Sequence, residues 1–76
     1  MMAREVEHAP ARPVLTERQR QVAHGVERGL TNEEIAAELG ISPRTVKAHC
    51  DLLRRKLGVG RRRLIAPAFR ELEGRA

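Results

Sequence analysis

Residues 30–49 read LTNEEIAAELGISPRTVKAH, and this run contains the start and stop signals of two consecutive helices. Thr31 and the glutamate three positions later have the spacing of a capping box, in which both side chains satisfy backbone groups at a helix start. Gly40 is the residue type that ends a helix in the left-handed conformation. The pattern then restarts with Ser42 as the N-cap and Pro43 at the first helical position. These signals predict a helix-turn-helix, whose second helix enters the major groove of DNA.

Helical signals continue on both sides of this run, and no strand pattern of useful length is present, so we predict an all-α fold with four helices. They are expected near residues 16–28, 32–39, 43–57 and 63–73. The first has Thr16 as its N-cap. Its mid-helix Gly25 costs about 1 kcal/mol relative to alanine, which predicts a locally weak helix. Pro67 fits the fourth helix only if that helix begins near Leu64 or Ile65, because a proline in the first turn removes no helical hydrogen bond.

The two ends of the chain differ in composition. Residues 1–14 include Pro10 and Pro13 without an apolar period, so we expect a disordered tail or linker, followed by one helix-turn-helix domain over residues 15–76. A chain of 76 residues is too small for an enzyme cleft of ordinary volume, and we predict that it is not an enzyme.

Cysteine and hydropathy patterns exclude further classes. The single cysteine, Cys50, cannot form an internal disulfide, and no metal site or cofactor is expected. No apolar run is long enough to cross a bilayer, and the first fourteen residues lack the apolar middle of a signal peptide, so we expect a cytoplasmic protein.

The positive charge is concentrated in the second half of the chain. The formal net charge is +5. Residues 1–40 contain five basic and seven acidic side chains, whereas residues 41–76 contain ten basic and three acidic. A cationic half that begins with the second helix of the motif is typical of a surface that binds nucleic acid, since neutralising phosphates releases condensed counterions. One phenylalanine and no other aromatic residue disfavour RNA recognition by base stacking.

The helix at residues 43–57 separates its side chains into two stripes at 100° per residue. The stripe expected to face the core is Val46, Cys50, Leu53 and Leu57. The opposite stripe, expected to read bases, is Arg44, Lys47, Ala48, Asp51 and Arg55. Lys47 can donate to guanine O6 and N7, and the methyl group of Ala48 can contact a thymine methyl. For Asp51 two interpretations stay open: it accepts from cytosine N4, or it forms a salt bridge with Arg54 or Arg55.

Other polar residues near the motif are candidates for contacts with DNA phosphates. They are Thr31, Asn32, Ser42, Thr45, His49, Arg54, Lys56, Arg61, Arg62 and Arg63. Adjacent His49 and Cys50 could suggest a base and a nucleophile, but neighbours on a helix point about 100° apart. We therefore interpret Cys50 as a small core residue.

Residues 15–63 also carry an ordered set of short motifs: Leu15-Thr16, Arg18, Gly29-Leu30-Thr31-Asn32, Glu34-Ile35-Ala36, Leu39, Ile41-Ser42, Thr45-Val46-Lys47, His49, Lys56-Leu57-Gly58-Val59 and Arg62. This set resembles the DNA-binding domain of LuxR/NarL-type bacterial regulators, also called GerE-like. The resemblance implies a four-helix domain that binds DNA as a dimer through its fourth helix and regulates transcription, often in contact with RNA polymerase. It also implies groove contacts by Lys47, Ala48 and Asp51, although the family more often has a neutral or basic residue at the position of Asp51.

The role of the fourth helix and the class of function each have alternatives. Ile65, Phe69 and Leu72 form an apolar stripe that fits a dimer interface or packing onto the first helix; we expect a shared role and weak dimers. One functional alternative is a module similar to sigma-factor region four. The other is an interaction protein that pairs with full-length regulators through its fourth helix without binding DNA.

Overall fold

Four α-helices account for most of the chain in the computed structural model, which describes residues 13–74. Their bounds are α1 Glu17–Glu27, α2 Asn32–Leu39, α3 Pro43–Leu57 and α4 Ile65–Gly74, with a 3₁₀ turn at Arg62–Leu64 leading into α4. The described residues contain no strand, and the predicted all-α, four-helix fold is confirmed. The tail predicted over residues 1–14 lies outside the described residues except for Pro13 and Val14, which belong to no helix.

Each of the first three helices begins at a side-chain cap. The Oγ1 atom of Thr16 accepts from the Gln19 backbone N–H at 3.0 Å, and the Gln19 side chain accepts from the Thr16 N–H at 2.9 Å. Thr31 forms the same reciprocal box at the start of α2. Ser42 accepts from the backbone N–H of Thr45 at 3.1 Å, and Pro43 follows it as the first residue of α3. The helix starts predicted from capping signals are therefore confirmed.

The turn of the helix-turn-helix depends on Gly40. Its φ of +71° lies in the left-handed region, where a β-carbon is disfavoured, and its N–H donates to the carbonyl of Ala36. This conformation reverses the chain within a few residues, so that α3 begins at Pro43 and packs across α2.

One hydrophobic core joins all four helices. Its largest fully buried side chains are Val22, Ile35, Val46, Leu53, Ile65 and Phe69. The inner stripe of α3 is confirmed for Val46, Cys50 and Leu53, whereas Leu57 is only partly buried. Because the inner stripe is held in this core, the opposite stripe of α3 points away from the rest of the domain.

The start of α4 explains how the helix accommodates Pro67. The helix begins at Ile65, so Pro67 is its third residue, where a backbone N–H has no partner within the helix. The 3₁₀ turn before it supplies the late start that the sequence required.

The apolar stripe of α4 lies inside the domain rather than at its surface. Ile65 and Phe69 are both 0% exposed, and α4 packs against α1. The ring of Phe69 meets His24 edge to face, with centroids 4.9 Å apart. The expectation that these two side chains share their contacts between a dimer interface and α1 is therefore corrected, because both are buried in the core of one molecule. Only Leu72 of the predicted dimer residues is partly exposed.

Ion pairs flank the seam between α1 and α4. Arg20 pairs with Glu73 at one end. Glu27 pairs with Arg70 at 3.2 Å at the other.

No helix within the described residues is long and apolar enough to cross a membrane.

Candidate nucleic-acid interface

The stripe of α3 opposite the core is the principal candidate surface. We call it the outer face of α3, and its residues are Arg44, Lys47, Ala48, Asp51 and Arg55. All are exposed except Asp51, which is half-buried, and the Lys47 side chain is 70% exposed. The sequence placed these five side chains on one face, and the structure brings them together on an open surface.

Asp51 lies between two basic side chains, Lys47 on this face and Arg54 beside it. Its Oδ1 atom accepts from Nη2 of Arg54 at 2.8 Å, and its Oδ2 atom lies 3.4 Å from Nζ of Lys47. The hydrogen bond from Arg54, supported by Lys47, holds the pKa of the Asp51 carboxyl below its usual value. Of the salt-bridge partners considered for Asp51, Arg54 is the one found, and an unpredicted second partner is Lys47.

The first turn of α3 presents hydroxyl groups. The Oγ of Ser42 and the Oγ1 of Thr45 lie 3.0 Å apart, and both residues are exposed. Backbone N–H groups in a helix's first turn have no partner within the helix, and this end carries a partial positive charge. Both hydroxyls are therefore placed where an anionic oxygen would be stabilised.

Arg62 has a structural role that the sequence analysis missed. Its Nη2 atom donates to the carbonyl of Leu30 at 3.1 Å and to Oδ1 of Asn32 at 3.0 Å. The same Asn32 oxygen is 3.9 Å from Sγ of Cys50. Arg62 thus joins the turn before α4 to the start of α2, and Asn32 is an acceptor inside the fold. No local signal could have indicated this contact, since thirty residues separate Arg62 from Asn32.

Lys56 is likewise committed to contacts within the domain. Its Nζ atom donates to the carbonyl of Val14 at 2.8 Å and to Oε1 of Gln19 at 3.1 Å. The end of α3 is thereby joined to the segment that leads into α1. A phosphate contact by Lys56 would require its ammonium group to leave both acceptors.

The remaining basic side chains of residues 41–74 fall into two groups, those that contact other residues of the domain and those that do not. Arg54 also donates to the carbonyl of Gly60 at 3.3 Å. Four arginine side chains have no hydrogen bond or ion pair with any residue of the described range: Arg44, Arg55, Arg61 and Arg63. These guanidinium groups are available to an anionic partner.

His49 and Cys50 lie on the inner side of α3. Cys50 is 4% exposed, and burial raises the pKa of its thiol, which agrees with its interpretation as a core residue. The Nδ1 atom of His49 is buried without a hydrogen-bond partner among residues 13–74. Within the same range, no cluster of histidine, cysteine or acidic side chains is arranged to hold a metal ion.

Comparison with known proteins identifies the family. Residues 13–67 match the family described as bacterial regulatory proteins, luxR family. The chain is 56% identical over 45 residues to the transcriptional regulatory protein UhpA of Escherichia coli, covering 59% of this chain and 23% of that protein. It is 44% identical over 64 residues to the probable transcriptional regulatory protein NarL of Mycobacterium tuberculosis, covering 83% and 30% respectively.

A shorter relative matches along most of its length. The spore germination protein GerE of Bacillus subtilis is 41% identical over 66 residues, which covers 83% of this chain and 89% of GerE. By contrast, the chain spans about a quarter of the length of UhpA. UhpA and NarL are named as transcriptional regulatory proteins, and the family match favours this family over a sigma-factor module. The chain belongs to the luxR family of bacterial regulatory proteins and has its helix-turn-helix DNA-binding domain, a domain of transcription regulation.

Proposed function

We propose that the outer face of α3 inserts into the major groove of double-stranded DNA and reads base edges there. The observation that carries this proposal is the exposure of Arg44, Lys47, Ala48 and Arg55 on one side of a helix whose other side is locked in the core. The groove is wide enough to admit an α-helix, and the residues nearest the helix start reach the bases. Lys47 and Ala48 are therefore the main candidates for base contacts.

Phosphate contacts on both sides of the groove would set the position of α3. The hydroxyls of Ser42 and Thr45 lie at the start of the helix, and Arg61 and Arg63 have free guanidinium groups near its other end. Such contacts orient a protein on the duplex without carrying sequence information. Among the other candidates, Thr31 is exposed and its hydroxyl caps α2. Four candidates are engaged in contacts within the domain, namely Asn32, Arg54, Lys56 and Arg62.

We further propose that the domain binds DNA as a dimer through the segment that contains α4. Ile65 and Phe69 are in the core, and Leu72 packs partly against it. Leu64, Ala68 and Leu72, spaced four residues apart, keep exposed apolar surface that a second copy could cover. Leu64 is 36% exposed, and the other two are partly exposed. This small patch supports weak association, stabilised by DNA with two half-sites.

Transcription regulation is the output expected of this binding, with RNA polymerase as a proposed partner and the bacterial cytoplasm as the site of action. The names of UhpA and NarL, as transcriptional regulatory proteins, support this role.

A salt titration of duplex binding tests the proposal. Affinity for DNA should fall steeply as salt rises, because each neutralised phosphate releases counterions. Lys47→Ala should reduce discrimination between selected and random duplexes, whereas Arg18→Ala, which removes an exposed charge from α1, should leave the discrimination unchanged. Absence of duplex binding at low salt would instead support the protein that pairs with regulators without touching DNA.

A further inference from the structure

Lys47 and Asp51 lie one turn apart on the outer face of α3, with Nζ and Oδ2 separated by 3.4 Å. We propose that these two side chains act as one reading unit for a single G·C base pair, in which Lys47 donates to guanine and Asp51 accepts from cytosine. The proposal rests on the proposed function, namely that this face enters the major groove. It joins the two interpretations of Asp51, a base contact and a salt bridge, in one unit, and it names the base pair that the unit recognises.

The hydrogen-bonding capacity of the two groups permits both contacts at once. A lysine ammonium group has three N–H donors, so one can stay on Asp51 while two reach guanine O6 and N7. A carboxylate oxygen has two lone pairs, so Oδ2 can accept from Lys47 and from a cytosine N4–H group together. The ion pair need not break when the helix enters the groove.

The order of donor and acceptor in the unit matches the edge of a G·C pair. In the major groove, guanine O6 and cytosine N4 are joined by one Watson–Crick hydrogen bond, about 2.9 Å long. The 3.4 Å between Nζ and Oδ2 sets a donor and an acceptor side by side, in the order that meets the acceptors of guanine and the donor of cytosine. The carboxylate therefore faces the only donor on that edge while the ammonium group faces the two acceptors.

An A·T pair fits the same unit less well. Its donor, adenine N6, has an acceptor on each side, and the thymine methyl lies beside one of them. A carboxylate placed at N6 would meet the lone pairs of thymine O4, and Lys47 would find one acceptor rather than two. We expect G·C to be preferred over A·T at this position by about 10-fold or more.

Arg54 determines which carboxylate oxygen does the reading. It donates from Nη2 to Oδ1 at 2.8 Å, which leaves Oδ2 turned toward Lys47. With its side chain 34% exposed, Arg54 lies deeper than Lys47 and can keep this orientation when the outer face is covered. Arg54 is therefore a positioning residue that acts through Asp51.

Selection from a random duplex library tests the proposal, with wild-type protein, Asp51→Asn and Asp51→Ala compared in parallel. Glu17→Gln is the matched control, because it removes one negative charge from an exposed position in the first turn of α1. Far-ultraviolet circular dichroism establishes that each variant is folded.

The wild type should show one position with a strong G·C preference. Asp51→Asn should shift that position toward A·T, since asparagine pairs with adenine N6 and N7. Asp51→Ala should reduce the preference for G·C over A·T at that position by about 10-fold. Glu17→Gln should leave the preference unchanged.

Two results would overturn the proposal in distinguishable ways. If the wild type selects a site and both Asp51 variants keep its base preferences at every position, the reading unit is wrong and the proposed function stands. If the wild type selects no sequence and binds no duplex at low salt, the proposed function fails, and this assignment fails with it.

Discussion

The Cγ1 atom of Ile35 lies 2.6 Å from the point that a β-carbon on Gly25 would occupy, so α2 rests directly on the backbone of α1. Both residues are buried, and no space is left for an added methyl group. The sequence predicted a local weakness at Gly25. The structure shows in addition that the absence of a side chain allows two helices to approach closely.

Gly25→Ala is therefore expected to destabilise the domain, although alanine favours a helix by about 1 kcal/mol. Moving Ile35 within a filled core costs about 1–3 kcal/mol, so the net loss in the free energy of unfolding should be about 1 kcal/mol. Urea unfolding measures it. Gly74→Ala is the control, because Gly74 is helical with open space around it and should be neutral or stabilising. Equal stabilisation by both substitutions would show that α1 and α2 do not pack as described.

Arg62→Ala is expected to lower the free energy of unfolding by about 1 kcal/mol, because it removes the hydrogen bonds to Leu30 and Asn32. Since these bonds position the start of α2, binding should weaken about equally on selected and random duplexes. Arg63→Ala removes a neighbouring arginine that has no partner within residues 13–74, and it should leave stability unchanged. Thermal unfolding and duplex titration of both variants separate the structural contribution of Arg62 from a phosphate contact.

Lys56→Met and Arg61→Met should differ in kind. Methionine at position 56 keeps the apolar stem but loses the hydrogen bonds to Val14 and Gln19, which should cost about 1 kcal/mol of stability. The salt dependence of DNA binding should not change. For Arg61→Met the expectation is reversed. Stability should be unchanged, and the slope of log binding constant against log salt concentration should decrease in magnitude by about the contribution of one phosphate contact. A reduced slope for Lys56→Met would show that its ammonium group leaves the fold to bind DNA.

Leu64→Glu should weaken dimer formation by about 1–2 kcal/mol, because a charge would enter the proposed apolar contact. Sedimentation with and without duplex DNA measures the association. Val14→Glu is the control, since Val14 is also an exposed apolar residue but lies before α1. If the wild type stays monomeric on DNA with two half-sites, the segment containing α4 is not the dimer contact.

The stability contributed by Glu38 should depend on pH. Arg28 donates from both terminal nitrogens to the Glu38 carboxylate at 2.9 Å, and the hydrogen bonding lowers the pKa of Glu38 below its ordinary value of 4.5. A lowered folded-state pKa contributes stability at neutral pH that is lost as the pH falls through that value. Glu38→Gln should therefore lower the melting temperature slightly at neutral pH, and this difference should shrink as the pH falls below 4.5. Glu33→Gln, which removes one exposed carboxylate from the same helix, is the control variant.

Features encoded over a few residues could be predicted from the sequence. Thr16, Thr31 and Ser42 marked the helix starts because a cap and its partner are three residues apart. The two faces of α3 followed from helical periodicity. The site on α3 was thus predicted in outline, and its base contacts remain a prediction.

Contacts between distant parts of the chain could not be predicted in this way. Nothing in the local pattern pairs Arg62 with Leu30, or Lys56 with Val14, because only the tertiary fold brings them together. Periodicity identified the apolar stripe at Ile65 and Phe69, but it could not decide whether α1 or a second molecule covers it.

The two hydrogen bonds of Lys56 attach the segment that enters the domain to the last turn of α3. Val14 is followed directly by Leu15, a core residue that is 6% exposed, so the same short entry segment is attached both to the hydrophobic core and to α3. A displacement of the backbone at Val14 would therefore be transmitted to both of these parts of the domain.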